Sequence, residues 1–258
     1  MKKISTIARI VVLEMIRRKD VYVMFFLTAV ITLLLGSVNI FGEVGIARYL
    51  KEVCLTLVWL FSVIIAIVST ARQLPAEREN RTIFPLLAKP VSRWQLLLGK
   101  FCGCWLACLL SLALFYSFFI FLSGTREGIW PLLSYLQAFW LHCLFCAVVV
   151  ALSLLGSVVF SAVSANVTIT TTLVVFILLL GRHLHRIATR IQDLRGRLLE
   201  VIYFAIPHLE WFDIRDLIIH NWPPLDLLTV VLDTAYAALF SAIFLVLAWL
   251  RFRRQPLD

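Results

Sequence analysis

Four cysteines and a histidine lie in two apolar stretches at spacings that put them on shared helix faces. Cys104 and Cys108 are four positions apart. Cys143 and Cys146 are three positions apart, and His142 adjoins them. Thiolates suit monovalent copper, and a rise of about 1.5 Å per residue places Cys108 and Cys143 at similar depths. Cysteine is also a small apolar filler of membrane helices, and the CxxC pair has no matched second pair, so we favour packing over a metal site.

No nucleotide-binding motif is visible in the sequence. A phosphate-binding loop needs spaced glycines ahead of Lys-Ser or Lys-Thr, so that backbone N–H groups can surround a phosphate. Gly99-Lys100 is instead followed by Phe101, and Trp94 stands where the first glycine would be. No Ser/His/Asp set or carboxylate pair is placed for hydrolysis. We therefore predict that the chain is not an enzyme, holds no cofactor of its own and takes its energy from a separate polypeptide.

One acidic residue, Asp233, falls inside an apolar stretch. A carboxylate within a membrane span is costly and usually faces a cavity or a partner. Asp233 is therefore a candidate for a transport route, although a place at the wet boundary of a long, tilted span explains it equally well. Asn166 and Thr170 are instead predicted to form hydrogen bonds between helices.

Small residues recur every four positions along one apolar stretch, at Gly99, Gly103 and Ala107. This spacing lets two helix backbones approach closely, and such packing drives helix association in lipid. The pattern predicts a helix–helix contact, either within the chain or with a second copy of it.

The composition indicates an all-α integral membrane protein with one domain over residues 1–258. Of the 258 residues, 62% are hydrophobic and 15% are charged, which is too few polar residues for a soluble protein of this size. The apolar runs predict six transmembrane helices, at about 21–41, 53–71, 96–122, 132–160, 163–181 and 227–250. The net charge of +9 fits basic residues crowded at span ends rather than nucleic-acid binding.

Residues 1–20 combine apolar side chains at helical spacing with six basic residues. This pattern predicts an amphipathic lead-in helix in the headgroup region, or equally an ordinary basic flank of the first span. The first apolar run is too long for a cleavable signal and is predicted to remain as an anchor. Residues 42–52 and 123–131 are predicted as short outer loops.

The distribution of basic residues predicts that both termini are cytoplasmic. Fifteen lie in the segments that this arrangement places inside and nine in those outside. The largest outer loop, 182–226, contains two amphipathic pieces separated by Pro207, which predict two interfacial helices. Trp211 and Trp222 suit the membrane–water boundary. We interpret this loop as a lid over a transport route or a dock for an extracytoplasmic partner protein, with a plain surface hairpin as the alternative.

A polar segment, residues 72–100, separates the second and third predicted spans; we call it the central segment. Prolines at 75, 85 and 90 divide it into short pieces. Pro75 can open a helix, because its missing N–H costs nothing in the first turn. Thr82 or Ser92 can cap another. The prediction is one or two short helices at the cytoplasmic membrane surface.

The central segment also carries a family resemblance. Its strings Glu79-Asn80-Arg81-Thr82, Leu86-Leu87, Lys89-Pro90-Val91-Ser92-Arg93 and Gly99-Lys100 resemble the signature of type-2 ABC transporter permeases. The version with Arg-Thr-Ile before Phe84-Pro85-Leu86-Leu87-Ala88 is most similar to the branch linked to multicopper-enzyme maturation. The resemblance implies that this segment docks on a separate ATP-hydrolysing subunit, through Glu77, Glu79, Arg81, Thr82, Pro90 and Arg93.

The resemblance implies a permease subunit that couples ATP hydrolysis by a separate subunit to transport or to force transmission across the membrane. It further implies a homodimer of permeases with two ATPase subunits that bind ATP and Mg²⁺, in the bacterial cytoplasmic (inner) membrane. Export and metalloenzyme maturation are its narrower implications. An intramembrane enzyme or a structural membrane subunit is the alternative.

Overall fold

The structure, a computed structural model, describes residues 2–37, 42–79, 92–188, 203 and 206–255. These ranges contain helices, turns and bends but no strand. The nine α-helices described are α1 Lys2–Arg17, α2 Asp20–Ser37, α3 Gly42–Ala71, α4 Pro75–Glu79, α5 Arg93–Glu127, α6 Leu132–Val159, α7 Val163–Ala188, α8 Arg215–Ile219 and α9 Leu227–Arg253. A short 3-10 helix, Leu209–Phe212, precedes α8.

Five described segments are long and apolar enough to cross a membrane. They are Asp20–Ser37, Gly45–Glu77, Arg93–Glu127, Leu132–Val159 and Leu227–Arg253. The predicted fifth span corresponds to a shorter apolar stretch, Val163–Leu179, which lies within α7. The all-helical membrane class that the composition predicts is confirmed.

Helix α6 lies at the centre of the bundle and contacts α3, α5, α7 and α9. Side chains are buried around nearly its whole circumference, which is why its sequence is apolar on every side. A tight turn at residues 160–162 leads into α7. Asn166 of α7 donates from Nδ2 to the Ser153 carbonyl at 3.1 Å and accepts from the Thr170 hydroxyl at 3.0 Å. A side chain at Gly156 would collide with Asn166, so the glycine is required for this contact.

Residues 42–52, predicted as an outer loop, are the first turns of α3 instead. The charged residues there suggested a loop, but Lys51 is buried and forms an ion pair with Glu127 of α5, with 2.5 Å between Nζ and Oε2. Its ammonium also donates to the Asn221 side chain at 2.8 Å. Internal pairing therefore allows a charged residue to lie within this helix.

Helix α5 is longer at both ends than the predicted span. Ser92 caps its start: the Ser92 hydroxyl accepts from the Gln95 N–H at 3.2 Å, and the Gln95 side chain accepts from the Ser92 N–H at 3.2 Å. This reciprocal pair satisfies two backbone donors at the first turn. At the other end Gly128 takes a left-handed conformation, with φ 67°, that ends the helix. The predicted loop 123–131 is thus helical as far as Glu127.

The structure of residues 182–226 differs from the predicted pair of surface-lying helices. Its first residues continue α7 as far as Ala188, and the rest of the first predicted helix lies largely outside the described residues. The second piece is a 3-10 helix followed by α8, and its apolar side chains Leu209, Phe212 and Ile218 are buried. The two short helices contact α3, α6 and α7, so this piece packs inward, while Trp211 and Trp222 stay exposed.

Candidate functional site

The described parts of the central segment are residues 72–79 and 92–100. Arg81, Thr82 and Pro90 lie outside the described residues. Glu79 is the last residue of α4, and its side chain is likewise not described. The geometry of the candidate site therefore comes from the two ends of the central segment.

The first end of the central segment is tied to α5 by a buried lysine. Helix α4 begins at Pro75, as the sequence predicts, after a short turn that follows α3. The Lys100 ammonium forms an ion pair with the Glu77 carboxylate and donates to the Gln73 side-chain oxygen at 3.0 Å. Lys100 is only 5% exposed, so water screens this pair weakly. Glu77, expected to meet a partner protein, is thus engaged within the chain.

The second end of the central segment is tied to the end of α9. The last carbonyls of a helix have no partner within it and need donors from elsewhere. Arg93 Nη1 donates to the Phe252 carbonyl at 2.5 Å and to the Arg253 and Gln255 carbonyls at 3.0 Å each. Its guanidinium also lies 5.4 Å from the centre of the Phe252 ring. One side chain of the central segment therefore holds the carboxyl end of the last span.

The small-residue stripe of α5 is a groove that α1 occupies. A Cβ atom at Gly99 would lie 2.7 Å from Ile7 Cβ, and one at Gly103 would lie 2.6 Å from Val11 Cβ. Both are closer than non-bonded carbons approach. Ala107, one turn further along, is also buried. The structure thus places the partner of this stripe within the chain, and α1 lies along α5 next to the central segment.

The cysteines and His142 are buried side by side with ordinary packing partners. His142 Nε2 lies 2.6 Å from the Ser62 hydroxyl, and Nδ1 lies 3.3 Å from the Tyr116 hydroxyl. Both ring nitrogens thus have hydrogen-bond partners. Cys108, Cys143 and Cys146 are free thiols with at most 2% exposure. In the parts of the chain that the structure describes, no three His, Cys, Asp or Glu residues are grouped so as to hold a metal ion.

Asp233 lies near the start of α9 and is 8% exposed. No hydrogen bond or ion pair to it occurs among the described residues. Its neighbour Thr234 accepts from Trp140 Nε1 at 3.0 Å, which joins α9 to α6. The structure does not bring Asp233 together with the central segment.

A charged cluster that the sequence did not single out lies at the start of α8. Arg215 forms two 2.8 Å hydrogen bonds with the Asp213 carboxylate and donates to the Thr56 hydroxyl at 3.2 Å. Its guanidinium lies 5.2 Å from the Trp59 ring centre. Burial alone would lower the pKa of Arg215, but hydrogen bonding and charge from Asp213 raise it above its usual value. Only the short Asp213–Arg215 spacing could have signalled this pair.

Comparison with known proteins gives the family. The sequence profile of the ABC-2 family transporter proteins matches residues 3–257, which is almost the whole chain. No curated protein matches the chain. Permeases of this family are typically non-catalytic membrane subunits that work with an ATP-binding subunit. Together, the five apolar helices and the family match over nearly the whole chain lead to one conclusion: the chain is an integral membrane protein and belongs to the ABC-2 transporter family.

Proposed function

We propose that this chain is a permease subunit that couples ATP hydrolysis on a separate subunit to movement of its membrane helices. The observation that carries the proposal is the anchoring of the central segment at both ends. Lys100 joins its first end to α5, and Arg93 joins its second end to α9. A segment fixed in this way transmits a displacement to the helices instead of absorbing it.

The anchors define a path for the motion. When ATP closes the ATPase, a push on the central segment reaches α3 through the chain itself, α5 through Lys100 and α9 through Arg93. All three helices contact α6, so their motion changes how the centre of the bundle packs. The equilibrium between two arrangements shifts only if the ATPase contacts differ between them. Partner docking through Glu79, Arg81, Thr82 and Pro90 is part of this proposal.

The arrangement of the ends supports a cytoplasmic location for both termini. Ile7 of α1 contacts Gly99, and Gln255 donates to the Val158 carbonyl at 2.8 Å. The start of α1 and the end of α9 therefore lie at the same end of the bundle as the described ends of the central segment. Basic residues at this end fit the cytoplasmic face of a bacterial inner membrane.

We further propose that two copies of the chain act with two ATPase subunits that carry ATP and Mg²⁺. The complex then either exports a substrate or transmits force outward across the membrane. The inward-packed piece 206–226 lies at the opposite end of the bundle, against α3 and α6, where it suits an outer closure or a dock for an outer partner. A role in metalloenzyme maturation is the narrowest proposal and rests only on the resemblance of residues 81–88.

The test is charge reversal at Glu79, the acidic residue that the resemblance places against the ATPase. Truncating one partner of a buried, hydrogen-bonded charge pair at an interface costs about 2–5 kcal/mol. Glu79→Lys should therefore fold in the membrane but lose co-purification of the ATPase or the ATPase activity of the complex. Glu52→Lys, at an exposed position near the other end of α3, is the matched control.

If both variants retain the ATPase and its activity, the central segment does not couple to an ATPase. The chain would then be better explained as a structural membrane subunit. If both variants lose the ATPase or its activity, charge reversal disturbs the fold itself. The yield of membrane-inserted protein detects that outcome.

A further inference from the structure

We propose that a cavity at the junction of α1 and α2 is a binding site for an anionic phospholipid headgroup. The cavity has a volume of about 400 Å³ and lies between this junction and the last turns of α3. Ligand pockets in proteins commonly measure about 300–1,000 Å³. The side chains that carry the argument are Met15, Arg18, Lys19, Met24, Ile65 and Arg72.

The charges around the cavity favour an anion. Arg18, Lys19 and Arg72 line it, whereas Asp20 is the one acidic residue in the lining. Glu14, outside the cavity, forms an ion pair with Arg18 at 3.2 Å. Three cations against two anions leave one positive charge in surplus, which a singly charged headgroup would neutralise.

Arg72 is oriented for this role. Its Nε donates to the Val68 carbonyl at 3.2 Å, which fixes the guanidinium at the end of α3. Its two terminal nitrogens have no acceptor in the described part of the chain. A guanidinium offers paired N–H donors that match the oxygens of a phosphate. Arg72 is thus placed to bind one phosphate together with Arg18.

The apolar wall selects a lipid over a soluble phosphate. Met15, Met24 and Ile65 face the same space as the arginines, and a free phosphate would leave them uncovered. The volume suits a headgroup and the start of the acyl chains. The chains can continue along the exposed apolar face of α2, where Val23 is 62% exposed and Phe26 is 68% exposed. Burial of acyl chain on this face adds a hydrophobic contribution.

The position of the cavity gives the lipid a structural consequence. It lies between the junction that follows α1 and the end of α3, from which the central segment begins. A ligand that binds the folded protein and not the unfolded chain stabilises the fold by mass action. The lipid therefore joins the α1–α2 junction to α3, and the melting temperature should depend on its presence.

The experiment uses the purified full-length chain in nanodiscs of phosphatidylcholine, with or without phosphatidylglycerol, and native mass spectrometry to count retained lipids. We expect retained phosphatidylglycerol and a rise of several degrees in melting temperature, with no rise from inorganic phosphate. The double variant Arg18→Gln/Arg72→Gln should weaken phosphatidylglycerol binding about tenfold or more. Ser69→Phe should also weaken it, because its ring fills the cavity without changing the charge.

The matched control is Arg9→Gln/Arg17→Gln, which removes the same charge from exposed positions of α1 outside the cavity. This control should bind phosphatidylglycerol like the parent chain. Equal losses in both double variants would mean general attraction to an anionic surface and would overturn the site. Equal retention of phosphatidylcholine and phosphatidylglycerol, or an equal rise with inorganic phosphate, would overturn the headgroup assignment. Unchanged binding by Ser69→Phe would place the lipid elsewhere.

Discussion

Lys100 is a buried cation whose removal would leave a buried anion behind. Breaking a buried ion pair by removing one partner typically costs about 3–5 kcal/mol, because the remaining charge has lost its counter-charge. Glu77 is held close to Lys100 with only 17% of its side chain exposed, so water can repair little of the loss. We predict that Lys100→Met lowers stability by about 3 kcal/mol and frees the first end of the central segment. Thermal unfolding in detergent measures the first effect.

The double variant Lys100→Met/Glu77→Leu separates stability from coupling. Removing both charges should restore most of the lost stability, since apolar replacements for a buried pair are often tolerated. If the central segment works through this anchor, the ATPase activity of the complex should stay uncoupled in the double variant. A double variant with normal coupling would assign Lys100 a purely structural role.

Residue types were more predictable than residue partners. Pro75 and Ser92 were identified from local rules for helix starts, which depend on neighbours within three or four positions. The partners of Lys51 and Arg93 lie far away in sequence, on other helices. No short-range pattern marks such pairs. From local neighbours alone, Lys51 was predicted to lie in a loop, and Arg93 was expected to contact a partner protein.

At the scale of elements, α1 packs against α5 at the glycine stripe. A leucine at Gly103 would meet Val11 Cβ and the Ala8 carbonyl oxygen, which a Cβ atom alone already approaches to 2.6 Å and 2.9 Å. Backbone cannot yield as a flexible side chain does, so α1 must move away. We predict that Gly103→Leu costs at least about 1–3 kcal/mol and displaces α1. Limited proteolysis measures the displacement, because cleavage within α1 becomes faster when this helix leaves α5.

Ala113→Leu is the control for this substitution, because it adds the same side chain at an exposed position of the same helix. It should leave α1 protected and the melting temperature near that of the parent. A Gly103→Leu variant with a protected α1 would show that the groove tolerates bulk and that the close approach contributes little.

The helices were largely predictable where an apolar run alone determines a membrane span. The apolar runs predicted the five described segments that can cross a membrane, and the composition predicted the helical class. Hydropathy failed at residues 42–52 and 123–127, which are helical although they carry charged residues; Lys51 of the first range pairs there with Glu127 of the second. It failed again at 209–219, where short aromatic and apolar pieces pack into the bundle instead of lying on its surface. In both cases tertiary contacts outweighed local polarity.

At the scale of the whole molecule, the two ends of the bundle differ in content. One end carries the start of α1, the end of α9 and the described ends of the central segment, and the other carries the Lys51–Glu127 pair. We predict that cysteines introduced at Ser161 and Arg126, which are both exposed, label from opposite sides of the membrane. Arg126→Cys should react with an impermeant reagent from outside, whereas Ser161→Cys should react only after permeabilisation. The native cysteines give little background, since five are buried and Cys102 is half-buried.

The last prediction concerns transmission between these two ends. Arg93 joins the central segment to α9 through a single nitrogen, Nη1, which contacts three carbonyls. Glutamine at this position is too short to place its amide nitrogen against the same carbonyls. In the complex with the ATPase, a fluorophore on Arg126→Cys at the far end should respond when ATP is added. We expect Arg93→Gln to retain the ATPase and its ATP binding but to lose most of this response. Arg251→Gln removes an exposed charge from the last turn of α9 and should respond like the parent. An undiminished response in Arg93→Gln would mean that motion reaches the far end through α3 and α5 alone.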